Sequence, residues 1–151
     1  QVKDGMVEAG KTASRSVALH YEIYRRNPKI NSIILTQSPA LMAFCTTRAK
    51  FDVRTIPESW IFLQDIPIFP FGSQYDEHLE ELAEEFKTRP FVMLANDSVL
   101  VTGDKLINTF DRLEVADFSA RSLILAAPLG SLKPITDDQI EELRVAFHVG
   151  E

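Results

Sequence analysis

The chain has little with which to cross-link itself or to grip a metal. One residue in 151 is cysteine, Cys45, so no internal disulfide can form, and the expected role of that residue is a small buried hydrophobe. Three residues are histidine, and no second one stands at ligand spacing from His20. Basic residues are also scarce: 16 Lys and Arg face 22 Asp and Glu, for a net charge of −6. Phosphate backbones are held by clustered cations, and the nearest approach here is Arg25-Arg26, so a nucleic-acid partner is not expected. No apolar run reaches the length of a membrane span, which excludes a helical anchor from the expectation and points to a cytoplasmic protein. Also missing are a glycine-rich phosphate loop, His-Glu-x-x-His, Gly-x-Ser-x-Gly, internal repeats and low-complexity tracts.

What is present is enough for one ordinary core. Hydrophobic residues make up 45% and charged residues 25% of the chain, which fits a single domain over residues 1–151. Its centre is the stretch Phe91 to Gly103, where an apolar run is broken once by Asn96-Asp97-Ser98 and then resumes. Two buried strands, 91–94 and 99–101, with a polar turn between them account for it. After Gly103, Asp104 is the expected cap of a long helix ending near Pro128, with Leu106, Phe110, Leu113 and Phe118 recurring at helical spacing.

Earlier in the chain, residues 1–13, broken by Gly5 and Gly10, are read as a short edge strand. Ser14 or Ser16 caps a helix carrying Val17, His20, Tyr21 and Tyr24 on one face until Asn27-Pro28, and His20 is read as a hydrogen-bonded core residue. Ser32 to Leu35 is a short strand, followed by Ser38 as a cap and Pro39 opening a helix through Leu41, Met42 and Phe44. Thr55 and Glu58 have the form of a capping box before Trp60–Leu63, and residues 66–71 alternate Ile and Phe with Pro as an edge strand. Ser73 is read as the start of an amphipathic helix with Tyr75, Leu79, Leu82 and Phe86 inward and Asp76, Glu77, Glu80, Glu81, Glu84 and Glu85 outward, beside a surface His78. A second capping box, Thr136 to Gln139, opens a last helix through Ile140, Leu143 and Phe147. Tyr21, Tyr24 and Trp60 are read as core or boundary aromatics.

Strand, polar turn, strand, glycine and long helix, preceded by Ile33-Ile34-Leu35-Thr36-Gln37-Ser38-Pro39 and by His20, resembles the class II aldolase and adducin head family. That family includes fuculose-phosphate aldolase and ribulose-phosphate epimerase. The resemblance implies an α/β fold, a three-layer α/β/α sandwich with a mainly antiparallel central sheet, here as an N-terminally truncated fragment of a longer chain. In the family the turn reads Asn-His-Gly or His-His-Gly and the earlier segment Ile-Ile-His-Thr-His-Ser-Pro. Three imidazoles hold zinc there, and a glutamate four residues before the helical histidine moves the proton. Matched residue by residue, the ligand positions are Leu35, Gln37 and Asp97, and the glutamate position is Ser16.

Those replacements remove the chemistry, because leucine has no donor atom, glutamine offers a weak neutral oxygen and serine cannot act as a carboxylate base. The expectation is therefore no catalytic residue, no metal, and a degenerate aldolase-like domain serving as a structural or assembly module. Its expected partner is another copy of itself or a neighbouring aldolase-like domain. The alternative is a zinc-dependent sugar-phosphate aldolase or epimerase completed by residues outside this stretch. A third reading makes Ser14, Arg15, Gln37, Asn96 and Asp97 a polar pocket for a small sugar phosphate. Within it, Arg15 either replaces the charge of the metal and pairs with Asp97 or points to solvent.

Overall fold

The apolar runs on either side of Asn96 form an antiparallel hairpin at the middle of a sheet. In the computed structural model, which describes residues 2, 3, 6–75 and 77–150, these strands are β5 (Phe91–Leu94) and β6 (Ser98–Gly103). All of β5 and all of β6 except Gly103 are buried, so alternate side chains need an apolar layer on each face. Phe91, Met93, Val99 and Val101 enter one core with Leu41, Phe44, Ala116, Ala120 and Leu123. Val92, Leu94 and Leu100 enter a second core with Leu19, Ile23, Leu82 and Phe86.

Two further strands complete this sheet. β3 (Ser32–Thr36) pairs antiparallel with β6, setting Leu35 opposite Leu100 and Thr36 opposite Val99. β4 (Ile68–Phe69) pairs parallel with β5 at the other edge, giving the order β3-β6-β5-β4. The expected edge strand is thus found, flanked by Pro67 and Pro70, which cannot donate to a ladder. Helices α1 (Val17–Arg26) and α4 (Leu79–Glu85) cover one face. Helices α2 (Pro39–Cys45), α3 (Pro57–Leu63) and α5 (Leu106–Ala126) lie on the other, and α6 (Asp137–Ala146) follows. The result is the three-layer, mainly antiparallel α/β arrangement, with one parallel pair. Near the start, β1 (Val2–Lys3) and β2 (Met6–Val7) pair with each other rather than joining the edge of this sheet; Gly5 lies outside the described residues.

Several local expectations are corrected. Helix α1 buries Leu19 and Ile23, while Tyr21 and Tyr24 face outward; the phase of the helix is set by the two aliphatic residues four apart. The segment after Phe71 is a turn, with Gly72 at φ 92° and Tyr75 N–H donating to Gly72 O at 2.7 Å. Tyr75 is therefore exposed and α4 starts only at Leu79; Asp76 lies outside the described residues. The long helix α5 buries Thr109, Ala116, Ser119, Ala120 and Leu123, whereas Leu106, Phe110 and Phe118 are exposed. Small residues let that helix sit close to the sheet and turn its larger ones away.

The caps differ as well. Ser16, Ser38, Ile56 and Lys105 occupy the cap positions of α1, α2, α3 and α5 without a side-chain cap bond. Ser38 instead donates to the Asp117 carboxylate, and Asp104 accepts from Asn108 at 2.8 Å. The Thr55 hydroxyl is buried without a partner. Only the Thr136–Gln139 box forms as read, with bonds of 3.4 and 3.1 Å in the two directions. Ile140 and Leu143 are half-buried, while Phe147 is exposed.

Candidate functional site

The ends of β3 and β5 bring the polar positions together. Residues alternate across a strand, so Leu35 projects with Ile33 to the face covered by α1 and α4. Leu35 packs against the second core. Gln37, just beyond the strand, donates from Nε2 to the Asp97 carbonyl at 2.7 Å. The loop carrying Asp97 is held in shape by its backbone conformation and two hydrogen bonds. Asn96 adopts φ 57°, a left-handed conformation that asparagine tolerates. Its N–H donates to Cys45 O at 2.9 Å, and Asp97 N–H donates to Leu94 O at 3.2 Å. The C-terminal end of α2, the loop and the end of β3 therefore form one fixed corner.

Within that corner the Asp97 carboxylate accepts from the Ser98 hydroxyl at 2.7 Å. The Cys45 thiol is buried and points at Ser98 O, 3.8 Å away. Burial pushes this thiol up to about 11, the Asp97 charge adding to the effect and a backbone bond at Leu94 opposing it. It is inert as a nucleophile, as expected of a buried small hydrophobe. His20 lies half-buried on α1 with Nε2 enclosed and unpartnered. Desolvation depresses its pKa. The expected hydrogen bond at that nitrogen is not made.

Ser14 and Ser16 share a hydroxyl contact of 2.9 Å at the start of α1. Arg15, between them, lies over the Tyr75 ring, Cζ 5.3 Å from its centroid. Asp97 is taken up by Ser98, and among the described residues no ion pair joins Arg15 to Asp97. Of the two alternatives for Arg15, the pairing with Asp97 is not made; the side chain is exposed and makes a cation–π contact. Helical periodicity puts Tyr75 inward, whereas Gly72, two residues after Pro70, is the signal for the turn that exposes it.

These positions do not fit the zinc ion that the family resemblance implies. Leu35 has no donor, the Gln37 amide nitrogen is committed to a carbonyl, and Asp97 accepts a hydroxyl proton. Among the described residues no three of His, Cys, Asp and Glu stand where they would hold a metal ion. A catalytic zinc needs about three strong protein donors, and one carboxylate is left here.

A concave feature lies elsewhere. A groove of about 790 Å³ runs beside α5, its lining including Ser38, Ile56, Phe110, Leu113, Phe118 and Arg121. None of Ser14, Arg15, Gln37, Asn96 and Asp97 lines it. Among the described residues no helix is long and apolar enough to cross a membrane.

A mixed sheet between two helical layers, with a tight polar loop meeting the end of a neighbouring strand, defines an aldolase-like α/β sandwich. The family model of the class II aldolase and adducin N-terminal domain matches residues 1–124, and the chain belongs to that family. It is 33% identical over 124 residues to the L-fuculose phosphate aldolase of Methanocaldococcus jannaschii, covering 81% of this chain and 66% of that relative. It is 25% identical over 147 residues to the 3-oxo-tetronate 4-phosphate decarboxylase of Haemophilus influenzae, covering 93% of this chain and 69% of the relative. Among solved structures, YgbL from Escherichia coli superposes with a TM-score of 0.79 at 21% identity, over 93% of this chain and 70% of that one. The chain thus spans about two thirds of the length of the relatives it matches.

Proposed function

We propose that this chain is a metal-free, non-catalytic member of the class II aldolase family that serves as a structural or assembly domain in the cytoplasm. The observation that carries the proposal is the corner formed by Gln37 and the loop 95–97. Its polar groups satisfy one another, Gln37 with the Asp97 carbonyl and Ser98 with the Asp97 carboxylate, and Leu35 closes the remaining ligand position with hydrocarbon. Ser16, at the family's glutamate position, bonds Ser14 and offers no base at neutral pH.

A second reading is favoured by the relatives, two of which are described by activities on phosphorylated substrates: an L-fuculose phosphate aldolase and a 3-oxo-tetronate 4-phosphate decarboxylase. Under it, this chain contributes the sandwich of a zinc-dependent sugar-phosphate aldolase, epimerase or decarboxylase, and residues outside it supply the missing donors.

Two measurements separate the readings. Protein purified without added metal is assayed for bound zinc and for retro-aldol cleavage and decarboxylation across a panel of phosphorylated ketoses and oxo acids. Zinc well below one per chain and no turnover are expected. One zinc per chain, or turnover abolished by a chelator, overturns the first reading in favour of the second.

A further inference from the structure

The four-stranded sheet has a second end, which neither reading uses. Ser32 opens β3 opposite Gly103 at the end of β6, and Phe91 opens β5 opposite Val101, whereas Gln37 and the loop 95–97 lie at the other end of the same strands. The run of strand from Ser32 to Thr36 puts about 13 Å between the two ends. At the second end a cavity of about 270 Å³ lies between the turn after α1, the segment joining α4 to β5 and the start of α5. Its lining carries Lys29, Lys87, Arg89 and Arg112 against one acid, Asp104, in a chain whose net charge is −6. Charge of one sign gathered around a concave site draws counter-ions to it.

The four cations are engaged to different degrees. Lys87 pairs with Glu84, and Arg89 with Glu85 at 2.8 Å and Asp65 at 3.5 Å. Those pairs are largely solvated and individually weak, so their cations can share a further anion. Arg112 bonds no carboxylate among the described residues. Its Nε donates to Phe62 O at 3.2 Å and its Nη1 to Thr102 O at 2.5 Å, and Nη2 is left without a partner. Carbonyls fix a guanidinium in place and leave its charge uncancelled; burial lowers its pKa, with the Asp104 charge opposing. Gly103 permits the close fit, since a Cβ there would stand 2.5 Å from Thr109 Oγ1 and 3.5 Å from Arg112 Nη1. Lys29 is exposed and makes no ion pair among the described residues. Asp104 is already occupied, accepting from Asn108 Nδ2 at 2.8 Å and from the backbone N–H groups of residues 104 and 105. Helix α5 begins beside the cavity with Lys105 at its cap and no side-chain cap bond, so the positive end of the helix adds to the potential set by the side chains.

We propose that this end of the sheet binds a small phosphate-type dianion, either free phosphate or the phosphate group of a small metabolite, held by Arg112 and Lys29 with Lys87 and Arg89 around it. A guanidinium whose carbonyl bonds fix its plane presents its remaining N–H groups to tetrahedral oxygens, and an ammonium adds a mobile point charge. The site stands apart from the corner of Gln37 and Asp97 and depends neither on zinc nor on turnover. Isothermal titration of the chain with inorganic phosphate, glycerol phosphate and acetate, at constant low ionic strength, tests it. Wild type is expected to take one phosphate per chain with a Kd of about 1 mM, to bind acetate at least about tenfold more weakly because one charge and two oxygens replace two and three, and to lose affinity as sodium chloride is added. Lys29→Glu and Arg112→Gln each weaken phosphate at least about tenfold. Lys133→Glu, the same charge change on an exposed residue outside the cavity, and Arg15→Gln, at the other end of the sheet, stay within about twofold of wild type. Arg112→Gln also gives up two carbonyl bonds, so circular dichroism verifies its fold, whereas Lys29→Glu gives up none and decides by itself. Glycerol phosphate binding at least as tightly as phosphate assigns the site to a phosphorylated metabolite, and weaker binding assigns it to the free ion. The proposal is overturned by a wild type that binds no phosphate up to about 20 mM, by acetate binding as well as phosphate, by an equal loss in Lys133→Glu, or by a loss in Arg15→Gln that Lys29→Glu does not share. The metal and turnover assays are read separately, so failure here leaves the functional reading standing, and the converse.

Discussion

His20 is a half-buried titratable group with an uncompensated ring nitrogen. Its Nε2 is enclosed without a partner on a helix whose neighbouring residues, Leu19 and Ile23, are fully buried hydrocarbon. Burial holds its pKa below 6.5 in the folded chain, whereas the unfolded chain takes up the proton near 6.5. The unfolded state therefore binds more protons as pH falls through that value, and stability drops until the folded-state pKa is passed. The carboxylates with lowered pKa, Glu22, Glu84, Asp104 and Glu141, act in the same direction but below their ordinary range near 4. Urea denaturation between pH 7 and 5 is expected to show a loss of stability that His20→Gln removes. A slope over that window unchanged by the substitution would mean that His20 is solvated. Residue types alone indicated that His20 lies on the inner side of its helix and that Cys45 is a quiet core residue. They did not indicate whether an acceptor waits for the imidazole, because that depends on elements packed from elsewhere in the chain.

At the scale of elements, α1 and α4 are joined by a cation and an amide with different duties. Arg26 reaches Glu22, Glu80 and Glu84 at 3.0, 2.6 and 2.8 Å. These carboxylates are partly or mostly exposed, so each pair adds little by itself. Asn27 is 6% exposed and donates from Nδ2 to Ile23 O at 2.9 Å and to Ala83 O at 3.0 Å. It thereby adds a second donor to Ile23 O, which already accepts from the Asn27 N–H, and supplies one to Ala83 O near the end of α4. Asn27→Ala removes both buried side-chain bonds across this joint and is expected to cost about 1–3 kcal/mol. Asn27→Asp costs more, since it sets a carboxylate against two carbonyl oxygens. The check is a shift of the urea midpoint at constant slope. The sequence reading took Asn27-Pro28 as a helix stop, which it is, but a stop signal carries no information about the helix packed beside it. The same holds for α5. Its existence and both ends follow from Gly103 and Pro128, yet the face predicted to be inward is partly the outward one. Thr109, Ala116, Ser119 and Ala120 look unremarkable in a hydropathy pattern, but their small size lets the helix approach the sheet.

For the molecule as a whole, the sheet was legible because apolar runs, a single polar turn and proline positions specify strands directly, and the family resemblance implied the three-layer, mainly antiparallel arrangement; the order of the strands was not legible. The site was legible as a set of positions but not as a set of contacts: Gln37 and Asp97 do converge, whereas Arg15 turns to Tyr75. If the scaffold has kept the geometry of a metal site and lost only the ligands, returning imidazoles should return the metal. Leu35 lies near the end of β3 and Gln37 just beyond it, and the Gln37 side chain already touches the backbone of Asp97, so Leu35→His, Gln37→His and Asp97→His test whether three nitrogen donors meet at one corner. Leu35→His removes apolar packing from the second core and costs about 1–3 kcal/mol, so retention of the fold is verified first by circular dichroism. The folded triple variant is expected to retain close to one zinc per chain after dialysis, where the wild type retains almost none. Because a ligand that binds only the native state raises its stability, zinc should also raise the thermal midpoint of the variant and leave that of the wild type unmoved. A folded variant that ignores zinc in both measurements would show that the three positions do not converge as a metal site, and the reading of this chain as an aldolase scaffold stripped of its ligands would fall with it.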